Sequence, residues 1–167
     1  MYPQKSTAEI QRILEQHKLF VARKGGARAD LTMQNLAGAR LIGVNLSGAK
    51  LTGVNFEGAD LRGANFDRAD LFTANLAKAD LTQASLIEAD MRGASLRGAK
   101  MRGVKMEQAD LRSGKLLAAG DTGKGLAVQG KGSGATDITD ADLKGAQMKK
   151  ATLGNAKLTG ADLSNAD

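Results

Sequence analysis

Residues 59–66 read Ala59-Asp60-Leu61-Arg62-Gly63-Ala64-Asn65-Phe66. A large apolar residue stands at 61, a small one two places before it, a polar one directly before it and a glycine two places after. The next unit begins at once. Stepping outward by five, the large apolar positions are Leu31, Leu36, Leu41, Leu46, Leu51, Phe56, Leu61, Phe66, Leu71, Leu76, Leu81, Leu86, Met91, Leu96, Met101, Met106, Leu111 and Leu116, eighteen units without a break. Two residues before each lies Ala in most units, Val at 44, 54 and 104, Gly at 114 and Gln at 34. A second array runs Ile138, Leu143, Met148, Leu153, Leu158, Leu163, with its phase shifted by two.

A period of five excludes both simple elements. On an α-helix each step of five turns by about 140°, which spreads the leucines around the whole circumference. On a flat strand five is odd, so successive leucines would face opposite ways. The chain must therefore bend once per unit, so that each short extended piece presents its apolar pair to a common axis. Gly at 38, 43, 48, 53, 58, 63, 93, 98 and 103 falls at one fixed offset, where a tight turn needs positive φ. A period of ten lies underneath. The residue before the central one is charged at 30, 40, 50, 60, 70, 80, 90, 100 and 110, and is Asn or Ser at alternate units up to 95. A coil with an even number of sides explains this. Four sides of twenty residues in all satisfy it, and so do two or six.

The tandem pattern Ala59-Asp60-Leu61-Arg62-Gly63, Ala64-Asn65-Phe66 resembles the pentapeptide-repeat family over 29–116 and 136–167. The resemblance implies an all-β solenoid, a right-handed quadrilateral β-helix with four units per coil. The central residue and the small one before it would point inward. The first array would then make four and a half coils, a rod about 22 Å long at roughly 4.8 Å per stacked strand.

The organisation read from the chain is a capping segment at 1–28, a first array at 29–116, a Gly-rich insert at 117–135 and a second array at 136–167. Residues 6–24 read as an α-helix: Ser6 and Glu9 have capping-box spacing. Ile10, Ile13, Leu14, His17, Phe20 and Val21 form one stripe, and Gly25-Gly26 ends it. An amphipathic helix suits the open end of a solenoid, which exposes apolar core and unpaired backbone. The insert reads as a protruding loop or as a degenerate coil. The sequence stops at Ala166-Asp167 in mid-unit. Either a longer protein is cut here or this uncapped end pairs end to end with another copy.

Composition narrows the chemistry. The 167 residues hold no Cys, no Trp and a single His, with 3% aromatic residues and a net charge of +6. Disulfides and thiolate metal sites are excluded, and one His cannot build an ordinary zinc site. No apolar run reaches the ~18 residues of a membrane span, so no membrane partner and a cytoplasmic location are the expectation. The stretch 125–132 approaches a phosphate-binding loop in spacing, but lacks a Ser or Thr directly after Lys131 and the strand–helix context the motif needs. No paired acid and base stand out. No catalytic, cofactor or metal residues are assigned, and an enzyme is not expected.

The densest charge is a basic cluster, Arg92, Arg97, Lys100, Arg102, Lys105, Arg112 and Lys115, against Asp90, Glu107 and Asp110. On four sides it forms a collar rather than one stripe. Outward Ile42, Phe72 and Ile87 fall on different sides. The reading of function is a non-catalytic scaffold or protein-interaction module whose partner the sequence does not name. Binding of an anionic partner (nucleic acid, acidic protein or lipid surface) through the collar is the alternative, with nucleic acid the weaker choice because no aromatics are interleaved for base stacking. The family resemblance adds a third reading, since some members imitate DNA and bind gyrase. Those rods are strongly acidic and this chain is basic, which argues against it.

Overall fold

Each unit closes through a β-turn. In the unit around Leu51, the Val54 N–H donates to the Leu51 carbonyl at 3.0 Å, and Gly53 between them has φ of 62°. Positive φ at the third turn residue is the type II signature. The structure, a computed structural model, describes residues 3–114 and 134–167. From Leu31 to Met106 and again from Ile138 to Leu163 the turn recurs every five residues. Glycine occupies the strained position in nine units of the first array, but Met33, Arg68, Thr73, Lys78, Gln83, Glu88 and Gln108 adopt the same positive φ without it. Packing therefore imposes the turn even where the local sequence resists.

Thr73 resists most. It is β-branched, has φ of 53°, and its Oγ1 is buried with no hydrogen-bond partner. A left-handed conformation costs a non-glycine residue about 1–2 kcal/mol, more where the side chain branches at Cβ. Thr73→Gly should raise stability by about 1 kcal/mol, read as a higher urea midpoint with unchanged slope.

Parallel bridges join residues twenty apart, from Asp30–Lys50 to Asp90–Asp110. Four units thus complete one turn of a coil. The first side carries Leu31, Leu51, Leu71, Met91, Leu111 and Leu153. The second carries Leu36, Phe56, Leu76, Leu96, Ile138 and Leu158. The third carries Leu41, Leu61, Leu81, Met101, Leu143 and Leu163, and the fourth Leu46, Phe66, Leu86, Met106 and Met148. Successive rungs are tied by backbone bonds such as Lys50 N–H to Ala29 C=O at 2.9 Å and Leu51 N–H to Asp70 C=O at 2.8 Å. Turn and rung bonds use four of the five N–H groups in a unit. In most units with Asp or Asn before the central residue, that side chain takes the fifth, as where the Asn55 Oδ1 accepts from the Glu57 N–H at 3.1 Å. These residues close an Asx-turn, so the lattice of Asp and Asn is a backbone device as well as a surface.

The small and large inward residues form one core from Ala29 to Met148. Phe56 and Phe66, on opposite sides, meet edge to face at 6.0 Å across the axis. Leu31, Leu46, Leu51, Leu61, Leu71, Leu76, Leu81, Leu86, Met91, Leu96, Met101, Met106, Leu111, Ile138 and Leu143 are wholly buried, with Leu36 and Met148 nearly so. Leu41, Leu153 and Leu158 are half-buried and Leu163 is 39% exposed, because no further coil lies over them. Leu116 lies outside the described residues.

The helix α1 spans Thr7–Val21, with Ser6 and Glu9 closing the capping box. It ends three residues earlier than the sequence reading: Ala22 caps it, and Arg23, Gly25 and Gly26 then take positive φ. Ile10, Ile13 and Leu14 pack on the core, whereas Phe20 is 44% exposed. It stacks on the outer edge of His17, with ring centroids 5.8 Å apart, rather than entering the core. Gln34, the one Gln among the inward small positions, is buried. Its amide holds the leading segment through Pro3 C=O at 3.1 Å and Lys5 N–H at 2.7 Å. Gln4 does the same for the first rung, accepting from the Asn35 N–H at 2.7 Å.

His17 is fully buried and its Nδ1 accepts from the Ala29 N–H at 3.0 Å, so the ring is neutral in the docked state. Burial, followed by the Arg28 charge, pushes its pKa below the ordinary 6.5 against an opposing backbone interaction with Ser47. The unfolded state therefore binds the proton more readily. The cap's contribution is complete above about pH 6.5 and is lost as pH falls through the lowered folded value. Protection factors of the α1 amides, taken relative to intrinsic exchange at each pH, should fall selectively below pH 6.5, while His17→Gln, which keeps a neutral acceptor, should remove that dependence.

The second array continues the first. Ser95 pairs with Asp137, Lys100 with Asp142, Lys105 with Gln147 and Asp110 with Thr152, each 42 residues on. Ile138 thus stacks on Leu96, and the intervening chain leaves the ladder through a narrow neck. There the Gly114 N–H donates to Gly134 C=O at 2.6 Å. Thr136 is buried at the lip. Its Oγ1 accepts from the Gly93 N–H at 2.9 Å and reaches the Arg112 carbonyl at the same distance. Most of the Gly-rich insert, 117–133, lies outside the described residues, as does the 125–132 stretch with phosphate-loop spacing.

Candidate functional site

The outward residues of the coil are the surface available to a partner. The structure divides the expected basic collar unevenly. Arg92 and Arg112 share the first side and are engaged there. Arg112 forks onto Asp110 at 2.9 and 2.7 Å. Arg92 forks onto Asp90 at 2.8 and 2.6 Å, approaches Asp110 at 3.8 Å and lies 5.3 Å over the Phe72 ring. The Arg112 hydrogen bonds hold the Asp110 carboxyl below its usual range, against some opposing burial. The first side therefore carries a ladder of neutralised charge.

Arg97 stands exposed on the second side below Asp137. Lys100 and Arg102 are exposed on the third, with Arg102 3.4 Å from Asp142, and Lys105 is exposed on the fourth. Lys115 lies outside the described residues. Phe72, Ile42 and Ile87 occupy the first, third and fourth sides, so they form no common patch. Phe72 is half-buried because it covers Gly114 at the neck.

One groove of about 800 Å³ opens between α1 and the first side, walled by Lys5, Arg12, Arg28 and Lys50 with Ile13 at its floor. Its three carboxylates are already engaged. Glu9 accepts from the Ser6 N–H at 2.7 Å. Asp30 accepts from the Thr32 N–H at 3.2 Å, and Asp70 from the Thr52 hydroxyl at 2.8 Å. Among the described residues no group of His, Asp and Glu is placed to hold a metal ion, and no helix is long and apolar enough to cross a membrane.

Three features of this surface escaped the sequence reading. The Asx-turn role of the Asp and Asn residues had a local signal, since these types accept from the backbone two residues on. The stacking of Lys144, Lys149 and Lys150 over the collar had none, because it depends on how much chain leaves the ladder. The neutralisation of Arg92 and Arg112 follows from their place two residues after an Asp.

A family model described as pentapeptide repeats matches the chain in 8 copies over residues 27–63, 39–76, 74–112 and 136–167. No curated protein matches it significantly. Among solved structures, a pentapeptide repeat protein from the Arabidopsis thaliana thylakoid lumen is 31% identical, with 53% of this chain and 68% of that one covered and a TM-score of 0.39. HetL, a pentapeptide repeat protein involved in heterocyst differentiation regulation in Nostoc sp. strain PCC 7120, is 27% identical, with 83% and 65% covered and a TM-score of 0.30. The chain thus spans about two thirds of the length of each of these proteins. A pentapeptide repeat protein from the cyanobacterium Cyanothece 51142 is 21% identical, with 95% and 97% covered and a TM-score of 0.44.

Proposed function

The chain belongs to the pentapeptide-repeat family, and from that premise we propose that it is a non-catalytic scaffold, an interaction module that presents a stiff, regular surface to a protein partner. The winding proposed with it is the right-handed quadrilateral β-helix of the family. The observation that carries the reading is that turn and rung bonds use four of the five N–H groups in each inner unit, and an Asx bond takes the fifth in most units that carry Asp or Asn before the central residue. This leaves the outward side chains free to vary without disturbing the coil.

The collar as a whole is a weaker anion-binding surface than its sequence suggests, because Arg92 and Arg112 are spent on Asp90 and Asp110. Gyrase binding by imitation of DNA is disfavoured by the net charge of +6. The test is affinity capture from the native host, using the full chain and a variant with altered outward residues and an unchanged circular dichroism spectrum. A protein held by the first and released by the second supports the module. Turnover of a small substrate by the purified chain would overturn the non-catalytic reading.

A further inference from the structure

The coil brings together lysines that the sequence keeps about forty residues apart. The Gly103 N–H donates to Lys144 C=O at 3.0 Å, which sets Lys144 on the rung above Arg102. The Gln108 N–H donates to Lys149 C=O at 3.0 Å, which sets Lys149 and Lys150 above Glu107 and Gln108. Lys100 and Lys105 lie on the lower of these two rungs, paired through the ladder with Asp142 and Gln147. Lys100, Lys105, Lys144, Lys149 and Lys150 are all exposed, and none makes an ion pair among the described residues. They occupy two adjacent sides and two adjacent rungs, about 4.8 Å apart along the axis. The carboxylates on this corner are Asp142, held by Arg102 at 3.4 Å, and Glu107, whose Oε2 is buried. Asp80 and Asp162 flank it below and above on the third side; on the fourth, Asp167 lies above, its Oδ1 accepting from the Met148 N–H at 2.8 Å, and Glu88 lies below, paired with Arg68.

We propose that this corner binds the phosphate backbone of duplex nucleic acid. The inference rests on the reading of the chain as an interaction module and gives it, beside the protein partner, a second partner at one face. Two observations select the partner. Of the nearby arginines, whose planar forks suit carboxylates, Arg92, Arg102 and Arg112 are already committed to Asp90, Asp142 and Asp110, and Arg97 lies off this corner on the second side. What remains free is ammonium, a point charge that takes phosphate from any direction. The face also carries no aromatic side chain, so it has nothing on which unpaired bases could stack.

A third observation shows that the lysines replace residues the fold would use. Lys100 and Lys105 stand where Asp or Asn elsewhere accepts the fifth N–H, and the Arg102 and Glu107 N–H groups make no hydrogen bond among the described residues. These are the only consecutive units there with a cation at that position. A local rule broken twice in succession, with no structural return, marks a functional face.

The experiment is fluorescence anisotropy of a short labelled duplex DNA titrated with the full chain across a salt series. Binding should be independent of sequence. Its affinity should fall with salt at a log–log slope of about −4, near −0.9 for each phosphate engaged by four or five lysines. Lys144→Glu with Lys149→Glu and Lys150→Glu should weaken binding by at least tenfold, and the three Gln substitutions should halve the slope. Lys18→Glu with Lys24→Glu and Lys78→Glu makes the same change in net charge elsewhere and should leave most of the affinity. Equal losses in the two triple variants, or no binding at the lowest salt, would overturn the proposal. Displacement of the DNA by polyglutamate at equal charge concentration would overturn it in favour of an acidic protein. Absence of DNA binding by a chain that still captures a protein would refute this face alone and leave the module standing.

Discussion

Leu61→Asp is expected to destroy the cooperative unfolding transition of the coil, while Arg62→Ser, one residue on, leaves the urea midpoint close to that of the wild type. Leu61 is 0% exposed and sits on the third side between Leu41 and Leu81. Removing it loses about 1.5–3 kcal/mol of burial. A carboxylate in its place has no cation within the core and adds a penalty of several kcal/mol. Together these are a large part of the roughly 5–15 kcal/mol by which domains are stable. The Arg62 guanidinium, by contrast, is half-exposed, and its fork onto Asp60 lies on the surface, where ion pairs add little. The pair of variants asks whether inward and outward positions alternate as the ladder requires. Tolerance of both would refute that assignment.

The second large effect is expected at the neck. Gly93 has φ of 69°, and a Cβ there would lie 2.4 Å from the Gly114 carbonyl oxygen, a backbone atom that cannot swing aside. Gly58 has nearly the same φ, 65°, with nothing within 4 Å. Gly58→Ala should therefore cost only the left-handed penalty of about 1 kcal/mol. Gly93→Ala should cost roughly 3 kcal/mol or more, since overpacking adds to the same strain. Urea titration of the two variants separates the terms. Equal costs would show that Gly114 does not close against Gly93, and that the neck is built differently.

Most of the coil was legible because its physics is local and repeated. A large apolar residue every fifth position, a small one two before it and glycine two after it specify a bend per unit, and the structure has those bends. The number of sides was not legible from spacing, since two, four or six fit the same period; the twenty-residue bridges decide it. Exceptions to the repeat carried information that was read only as irregularity. Gln34 and Gly114 depart from the usual Ala, as does Thr136, which the sequence reading did not single out, and each marks an interruption: Gln34 holds the cap, while Gly114 and Thr136 form the lips of the neck.

The surface was less legible than the core. Arg92 and Arg112 counted as free charge in the sequence, but each lies two residues after an Asp and folds back onto it. Lys144 and Lys149 belonged to a separate array until the ladder placed them over Arg102 and Glu107. Side-chain charge depends on which rungs are neighbours, and that depends on how many residues leave the coil between them. Phe20 shows the same limit at the cap. Helical periodicity put it on the apolar stripe, but docking through His17 set the stripe's edge just before it.

The central claim is that one coil runs unbroken past the insert, so that position 95 lies beside 137. The chain has no native cysteine, so an engineered pair reports without interference. Neighbouring rungs stand about 4.8 Å apart, within the 4.4–6.8 Å between Cα atoms that a disulfide accepts. Ser95→Cys with Asp137→Cys should close a disulfide under mild oxidation, and Ser95→Cys with Lys115→Cys should not. Rapid closure of the 95–115 pair with none at 95–137 would contradict the account, because the repeat would then continue at twenty residues through the insert.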